Sequence, residues 1–180
     1  QSNFGYAYAK RMLEVQSRAY RQQFGCNFIS VIPNNLYGVN DNYDLNSGHV
    51  IPALIRKFHE AMIEGRNEVI VWGSGRPVRE FTFARDTAKI ILWLTENYDG
   101  EEPVNIGNPV EFTMIELAEL VLRITGSKSK LIFKDLPQDD PKQRKPDIQI
   151  ATNKLDWAPK VSLNDGLLET VNFFKQNYFN

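Results

Sequence analysis

Apolar positions in the first 24 residues recur three and four apart, at Phe4, Ala7, Tyr8, Met12, Val15, Ala19, Tyr20 and Phe24. That is the period of a helix with one apolar face, and Gly25 ends it. The stretch "CNFISVIP" is a short, mainly apolar run closed by Pro33, and it predicts a strand buried on both faces, as in a parallel sheet. The Asn-, Asp- and Gly-rich "NNLYGVNDNYDLNSGH" predicts a long loop, and long ordered loops inside compact domains usually carry function.

Downstream the two periods alternate. Val50, Leu54, Phe58 and Met62 form a helical stripe that stops at Gly65. "EVIVWG" reads as a strand, "SGRP" as a turn, "REFTF" as a strand and "ARDTAKIILWLTENY" as a helix. A short strand follows at "PVNIG", then a helix at "TMIELAELVLRITG", where Thr113 and Glu116 make a capping-box pattern. "KLIFKDL" reads as a strand and "PQDDPKQRKPD" as an irregular charged loop. "NKLDWAP" is a helical turn, and Ser162 caps a terminal amphipathic helix. Strands alternating with helices predict an α/β fold.

Composition narrows the possibilities. The 180 residues are 42% hydrophobic and 12% aromatic, enough for a core, and 21 basic against 22 acidic residues leave a net charge of −1. That balance argues against nucleic acid or membrane as a partner. No apolar run approaches the ~20 residues of a membrane span, and no signal-peptide pattern is expected. Cys26 is the single cysteine, so neither an intrachain disulfide nor a cysteine-based metal site is expected, and a reducing, cytoplasmic compartment fits.

The chemistry begins with Tyr6 and Lys10, which stand four apart and so share one face of the first helix. A free phenol is a weak base near neutrality, and a neighbouring ammonium favours its ionised form. A tyrosine so tuned can exchange a proton with a sugar hydroxyl or carbonyl. His49, just before a helix, has the side chain best suited to proton exchange beside a ketone; burial and the positive helix end are expected to keep it neutral. Arg79 and Arg144 suit a bidentate grip on phosphate. Each has an ordinary alternative: a structural hydrogen bond for His49, surface salt bridges for the arginines, core filling for Trp72. His59 reads as structural or exposed.

The order of a Tyr-x-x-x-Lys helix, an apolar strand and "PNNLYG", then "WGSGRPVREFTFARDTAK" and "DDPKQRKPDIQIATNKLDWAPKVSLNDGL", resembles the extended short-chain dehydrogenase/reductase family of nucleotide-sugar enzymes across essentially the whole chain. Within it, "NNLYGVNDNYDLNSGHVIPALIRKFHEA" is most similar to the branch that 3,5-epimerises and 4-reduces GDP-4-keto-6-deoxy-mannose with NADP. The closing "DDPKQRKPD" is nearer to UDP-sugar members. The resemblance implies a Rossmann-type fold, with 1–38 a remnant of the dinucleotide-binding domain, 39–180 mainly the substrate domain, and 79–107 packing back on the first. It implies that Tyr6, Lys10 and His49 are catalytic. Lys10 with Pro33, Asn34, Asn35 and Leu36 would meet the cofactor, NADP or NAD. Asn35, Lys57, Trp72, Arg79, Asp140 and Arg144 would hold a nucleotide-diphosphate sugar. A homodimer is also implied.

No glycine-rich strand–turn–helix fingerprint precedes Tyr6, and "WGSGRP" leads into a strand rather than a helix. The chain therefore reads as the C-terminal half of such an enzyme. By itself it is expected to be inactive, with an apolar helix face and a strand edge left uncovered, and to oligomerise or rearrange in compensation. Two other readings stay open: a UDP- or dTDP-sugar epimerase, dehydratase or decarboxylase of the same family, and a non-catalytic nucleotide-sugar-binding or oligomerisation module.

Overall fold

The structure, a computed structural model, describes residues 4–134 and 146–178. Helix α1 (Phe4–Phe24) leads to β1 (Val31–Pro33), β2 (Asn35–Tyr37), α2 (Val50–Ile63), β3 (Glu68–Trp72), β4 (Val78–Phe83) and α3 (Ala84–Asn97). Then come β5 (Val104–Ile106), β6 (Glu111–Thr113), α4 (Met114–Thr125) and β7 (Lys130–Lys134). A π-helical turn at Ile150–Lys154 precedes α5 (Leu163–Tyr178). The described strands form three small sheets: β1 with β5, β3 with β7, and β2–β4–β6. All pairings are parallel except β4 with β6. The α/β class expected from the alternation is the one observed.

Two apolar clusters hold these elements. The larger packs Ile51, Leu54, Ile55 and Phe58 of α2 against Leu117 and Val121 of α4, Leu167, Val171 and Phe174 of α5, and Val69 and Val71 of β3. The smaller joins Ile90 and Leu94 of α3, Val104 and Ile106 of β5 and Ala151, with Ile29, Val31 and Trp157 packed on it. Segments far apart in the sequence, 29–31, 90–106 and 150–157, thus share one core.

Local signals in the sequence set several boundaries. The Thr113 hydroxyl accepts the Glu116 N–H at 3.1 Å and the Glu116 carboxylate accepts the Thr113 N–H at 2.7 Å, completing the anticipated capping box. Ser162 caps α5 by accepting the Asp165 N–H at 3.1 Å. Gly126 follows α4 in the left-handed conformation, φ +82°, where a side chain would be strained. Inside α5, a Cβ on Gly166 would lie 2.2 Å from the Tyr37 hydroxyl and 2.9 Å from the Phe83 ring. A bare backbone there lets α5 sit directly on β2 and β4.

Three expectations need correction. "CNFISVIP" forms a strand only at its last three residues, and Ile32 stays half exposed, so β1 is not buried on both faces among the described residues. The stretch read as loop contains β2, paired in register with Phe81–Phe83. β6, immediately ahead of α4, went unread. Three-residue strands are too short to show alternation, and their pairing partners lie 31 to 73 residues away, outside any local window.

His59 is buried, not exposed, with its ring edge-on to Phe174 at 5.5 Å across the α2–α5 contact. Burial, and then the Lys175 ammonium, push its pKa down, while Glu60 acts the other way. The unfolded chain takes up this proton first. The contribution is therefore complete above about pH 6.5 and is lost as pH falls through the lower folded value. Urea midpoints should decline from pH 7.5 to 5, and the decline should flatten in His59→Leu. Gly166→Ala should cost about 1–3 kcal/mol by overpacking in the same assay.

Candidate functional site

α1 presents Tyr6 and Lys10 on one face. The Lys10 ammonium stands over the Tyr6 ring, 5.6 Å from its centroid, and the tyrosine is 68% exposed. No residue of α1 is buried. Its apolar side, with Phe4, Tyr8, Met12 and Phe24, opens to solvent, as do Phe28 and Ile32 beyond it. The helix is fastened at its C-terminal end. The Arg21 guanidinium donates to Asn27 Oδ1 at 2.5 Å and to Asp99, at 2.6 Å for the carbonyl and 2.5 Å for the carboxylate. Tyr20 packs on Phe28 with ring centroids 5.9 Å apart.

At Asn34 the chain leaves the β1–β5 sheet for the β2–β4–β6 sheet. The Asn34 N–H donates to the Ile106 carbonyl at 3.1 Å. The Asn34 side-chain oxygen accepts the Thr82 hydroxyl proton at 2.6 Å, and that hydroxyl accepts the Asn108 N–H at 2.7 Å. Asn34 also donates from Nδ2 to the Asn108 carbonyl at 3.4 Å. Next to it, Asn35 donates from Nδ2 to the Glu80 carbonyl at 2.9 Å and is otherwise exposed, as are Pro33 and Leu36. Clefts beside the C-terminal ends of parallel strands, where the chain changes sheet, are where open α/β folds bind ligands.

A second surface lies on the outer face of β3. Val69 and Val71 point into the core, whereas Glu68, Ile70 and Trp72 face out. Trp72 is 54% exposed. The Lys57 ammonium reaches from α2 to the Ile70 carbonyl at 3.3 Å, and burial of its stem lowers its pKa. Across the β3–β7 pair, Lys134 on β7 stands in register with Trp72.

The remaining expected residues are placed differently. His49 is the N-cap of α2 with extended backbone and no side-chain cap bond, and it is exposed rather than buried. The loop before it is pinned by Asp44, whose Oδ1 accepts from the N–H groups of Asn46 and Ser47 and from the Ser47 hydroxyl. Those bonds hold the Asp44 carboxyl below its ordinary range. Arg79 is buried in β4, and its Nη1 donates to the Val78 carbonyl at 2.7 Å. Neither of two hollows, one on α1 at Ala7, Tyr8 and Arg11 and one between the C-terminal ends of α2 and α4, is lined by Tyr6, Lys10 or Arg79. Asp140 and Arg144 lie outside the described residues.

The "GSG" turn serves packing. A Cβ on Gly75 would lie 2.4 Å from Ile115 and 2.8 Å from Phe133, and the Gly75 carbonyl accepts the Ile115 N–H at 3.0 Å. Gly75 seats the start of α4. Tyr6, Lys10, Pro33, Asn35 and Leu36 are all exposed among the described residues. Among the described residues no glycine-rich turn leads into a helix to cradle the phosphates of a dinucleotide.

Sequence reasoning missed Thr82, Asn108 and Asp86. Asp86 accepts the Lys160 and Val161 N–H groups, each at 2.7 Å, and so staples the approach to α5. Each acts on residues 26 to 75 positions away, so no local pattern marks them.

The model of the NAD dependent epimerase/dehydratase family matches residues 1–107, more than half of the chain, and the chain belongs to that family. It is 44% identical over 179 residues to GDP-L-fucose synthase 1 of Arabidopsis thaliana, covering 99% of this chain and 55% of that protein. It is 42% identical to GDP-L-fucose synthase of Sinorhizobium fredii, covering 98% and 56%. Among solved structures, a GDP-L-fucose synthetase from Naegleria fowleri matches with a TM-score of 0.93 at 31% identity, covering 99% of this chain and 56% of that one. A UDP-glucose 4-epimerase from Thermotoga maritima matches with a TM-score of 0.83 at 29% identity, covering 95% and 53%. The chain spans about half the length of the curated relatives it matches.

Gly107 tests the Asn34 arrangement. A Cβ there would lie 2.6 Å from Asn34 Cγ and Nδ2, so Gly107→Ala should dislodge the amide. A loss of about 1–3 kcal/mol in urea unfolding is expected; a midpoint equal to the parent's would show that the amide moves freely.

Proposed function

We propose that this chain is the part of an NADP-dependent GDP-sugar epimerase/reductase that carries the proton-transfer residues and the nucleotide-sugar surface, acting on GDP-4-keto-6-deoxy-mannose as a GDP-L-fucose synthase. The observation that carries the reading is the Tyr6–Lys10 pair, ammonium over ring on one exposed helix face. The similarity to GDP-L-fucose synthases along nearly the whole chain supports it.

Tyr6 gives its proton to the C4 oxygen as the ketone is reduced, and Lys10 stabilises the phenolate left behind. The nicotinamide, when bound, supplies hydride. Lys10 also holds the nicotinamide ribose, and Pro33, Asn34, Asn35 and Leu36 line that side. A solved relative bound to NADP supports this cofactor over NAD. Epimerisation removes and returns protons at carbons flanking the ketone, and His49, on an exposed loop end, acts as the acid there. Lys57 and Trp72 meet the nucleotide, and Arg79, Asp140 and Arg144 the diphosphate-sugar. Arg79 must turn from the Val78 carbonyl to do so.

The two cores support a division in which β1, α3, β5 and the 150–157 segment belong to the dinucleotide side and the elements of the larger core to the substrate side, with α1 joining the first. A homodimer in the cytoplasm fits the reading. With no cradle for the dinucleotide phosphates among the described residues, these 180 residues by themselves turn over no substrate.

Similarity to a UDP-glucose 4-epimerase favours a second reading, a UDP-sugar enzyme. Calorimetry decides. The chain should bind GDP at least tenfold more tightly than UDP and give no heat with NADPH. Tighter UDP binding selects the second reading, and no binding of any nucleotide overturns both in favour of a non-catalytic module. Trp72→Ala should keep stability within about 0.5 kcal/mol, because the ring is outward and half exposed. It should weaken GDP binding about tenfold, the scale of one base–aromatic stack; unchanged affinity would remove Trp72 from the site.

A further inference from the structure

The turn between β1 and β2 is held by a small polar relay whose centre is Thr82, a residue only 1% exposed. Its hydroxyl spends both hydrogen-bonding roles on this turn, donating to Asn34 Oδ1 at 2.6 Å and accepting the Asn108 N–H at 2.7 Å. The Asn34 amide is committed further, to the Asn108 carbonyl, and lies against Gly107 so closely that a single added methyl group would collide with it. Asn34 therefore offers a ligand little through its side chain. Its neighbour does the opposite. Asn35 uses one amide proton on the Glu80 carbonyl and stays exposed, which leaves its side-chain oxygen and a second N–H facing outward.

We infer that Thr82 is a positioning residue: through Asn34 and Asn108 it fixes the β1–β2 turn so that the outward amide of Asn35 is pre-set to meet the sugar-diphosphate portion of a nucleotide sugar. The inference rests on the functional reading above and adds residues that never touch the ligand. Asn34 and Asn35 are consecutive, so any rotation of the Asn34 peptide is passed directly to the Asn35 side chain. β2 is three residues long, and its register with Phe81–Phe83 offers little resistance of its own. The relay supplies what the short strand lacks. An oriented amide loses less freedom when a ligand binds than one that must first be ordered.

Thr82→Val keeps shape and removes the hydroxyl; Thr82→Ser keeps the hydroxyl. Both are compared with the parent by calorimetry against GDP-mannose, at a temperature where thermal melts show each protein folded. Thr82→Ser should bind within twofold of the parent, and Thr82→Val at least fivefold more weakly. A purely structural hydroxyl would lower the melting temperature and leave affinity unchanged, and that result overturns the inference. The Asn35 side-chain NH2 signals in 15N spectra provide a readout independent of binding. They should be dispersed in the parent and Thr82→Ser and collapse towards free-amide values in Thr82→Val; unchanged signals also overturn the inference. Should Thr82→Val not fold, Asn34→Ala breaks the same link and is read in the same two ways. A parent that binds no GDP-mannose defeats the functional reading, while the NH2 signals still decide whether Thr82 sets the Asn35 amide.

Discussion

The structure depends on one junction, the point where the chain crosses from the β1–β5 sheet to the β2–β4–β6 sheet. Both strands at this junction are three residues long, and a three-residue strand has few ladder bonds with which to hold its register. Side chains do the holding: Asn34 and Thr82 tie the turn to β4 and to the segment after β5. A buried polar relay of this kind is costly when half satisfied and stiff when complete, and here both bonds of the central hydroxyl are made. The two cores meet the junction from opposite sides, Val31 and Ile106 below it and Tyr37 and Phe83 beyond it.

Stability and the proposed chemistry lie on different elements. α2, α4 and α5 share the large core and carry the capping box, the left-handed glycine and the close approach at Gly166. α1 carries the tyrosine–lysine pair and buries nothing. Most helical stability in proteins comes from a packed face, which α1 lacks among the described residues. The Arg21 clasp and the Tyr20–Phe28 contact fix only its end. The tyrosine–lysine pair is therefore presented by the least supported part of the fold, and the apolar residues beside it stand uncovered.

The outer face of β3 is assembled from less prominent parts. Strand alternation turns Trp72 outward while Val69 and Val71 fill the core, and the same alternation puts Ile70 beside it, where its carbonyl receives Lys57. Arg79 is the counterexample. The antiparallel pairing with β6 encloses it, and its guanidinium turns back to its own strand.

The local features of this protein were legible in the sequence. Helical stripes, the Thr113–Glu116 box, the Ser162 cap and the shared face of Tyr6 and Lys10 rest on residues within a few positions of each other, where periodicity and stereochemistry act directly. Tertiary structure alone decided the short strands β2 and β6, the burial of His59 against Phe174, the exposure of His49, the turning-in of Arg79 and the Thr82 relay. Each depends on partners brought from distant parts of the chain. A side chain's surroundings are set by whatever packs across from it, and no local pattern encodes that.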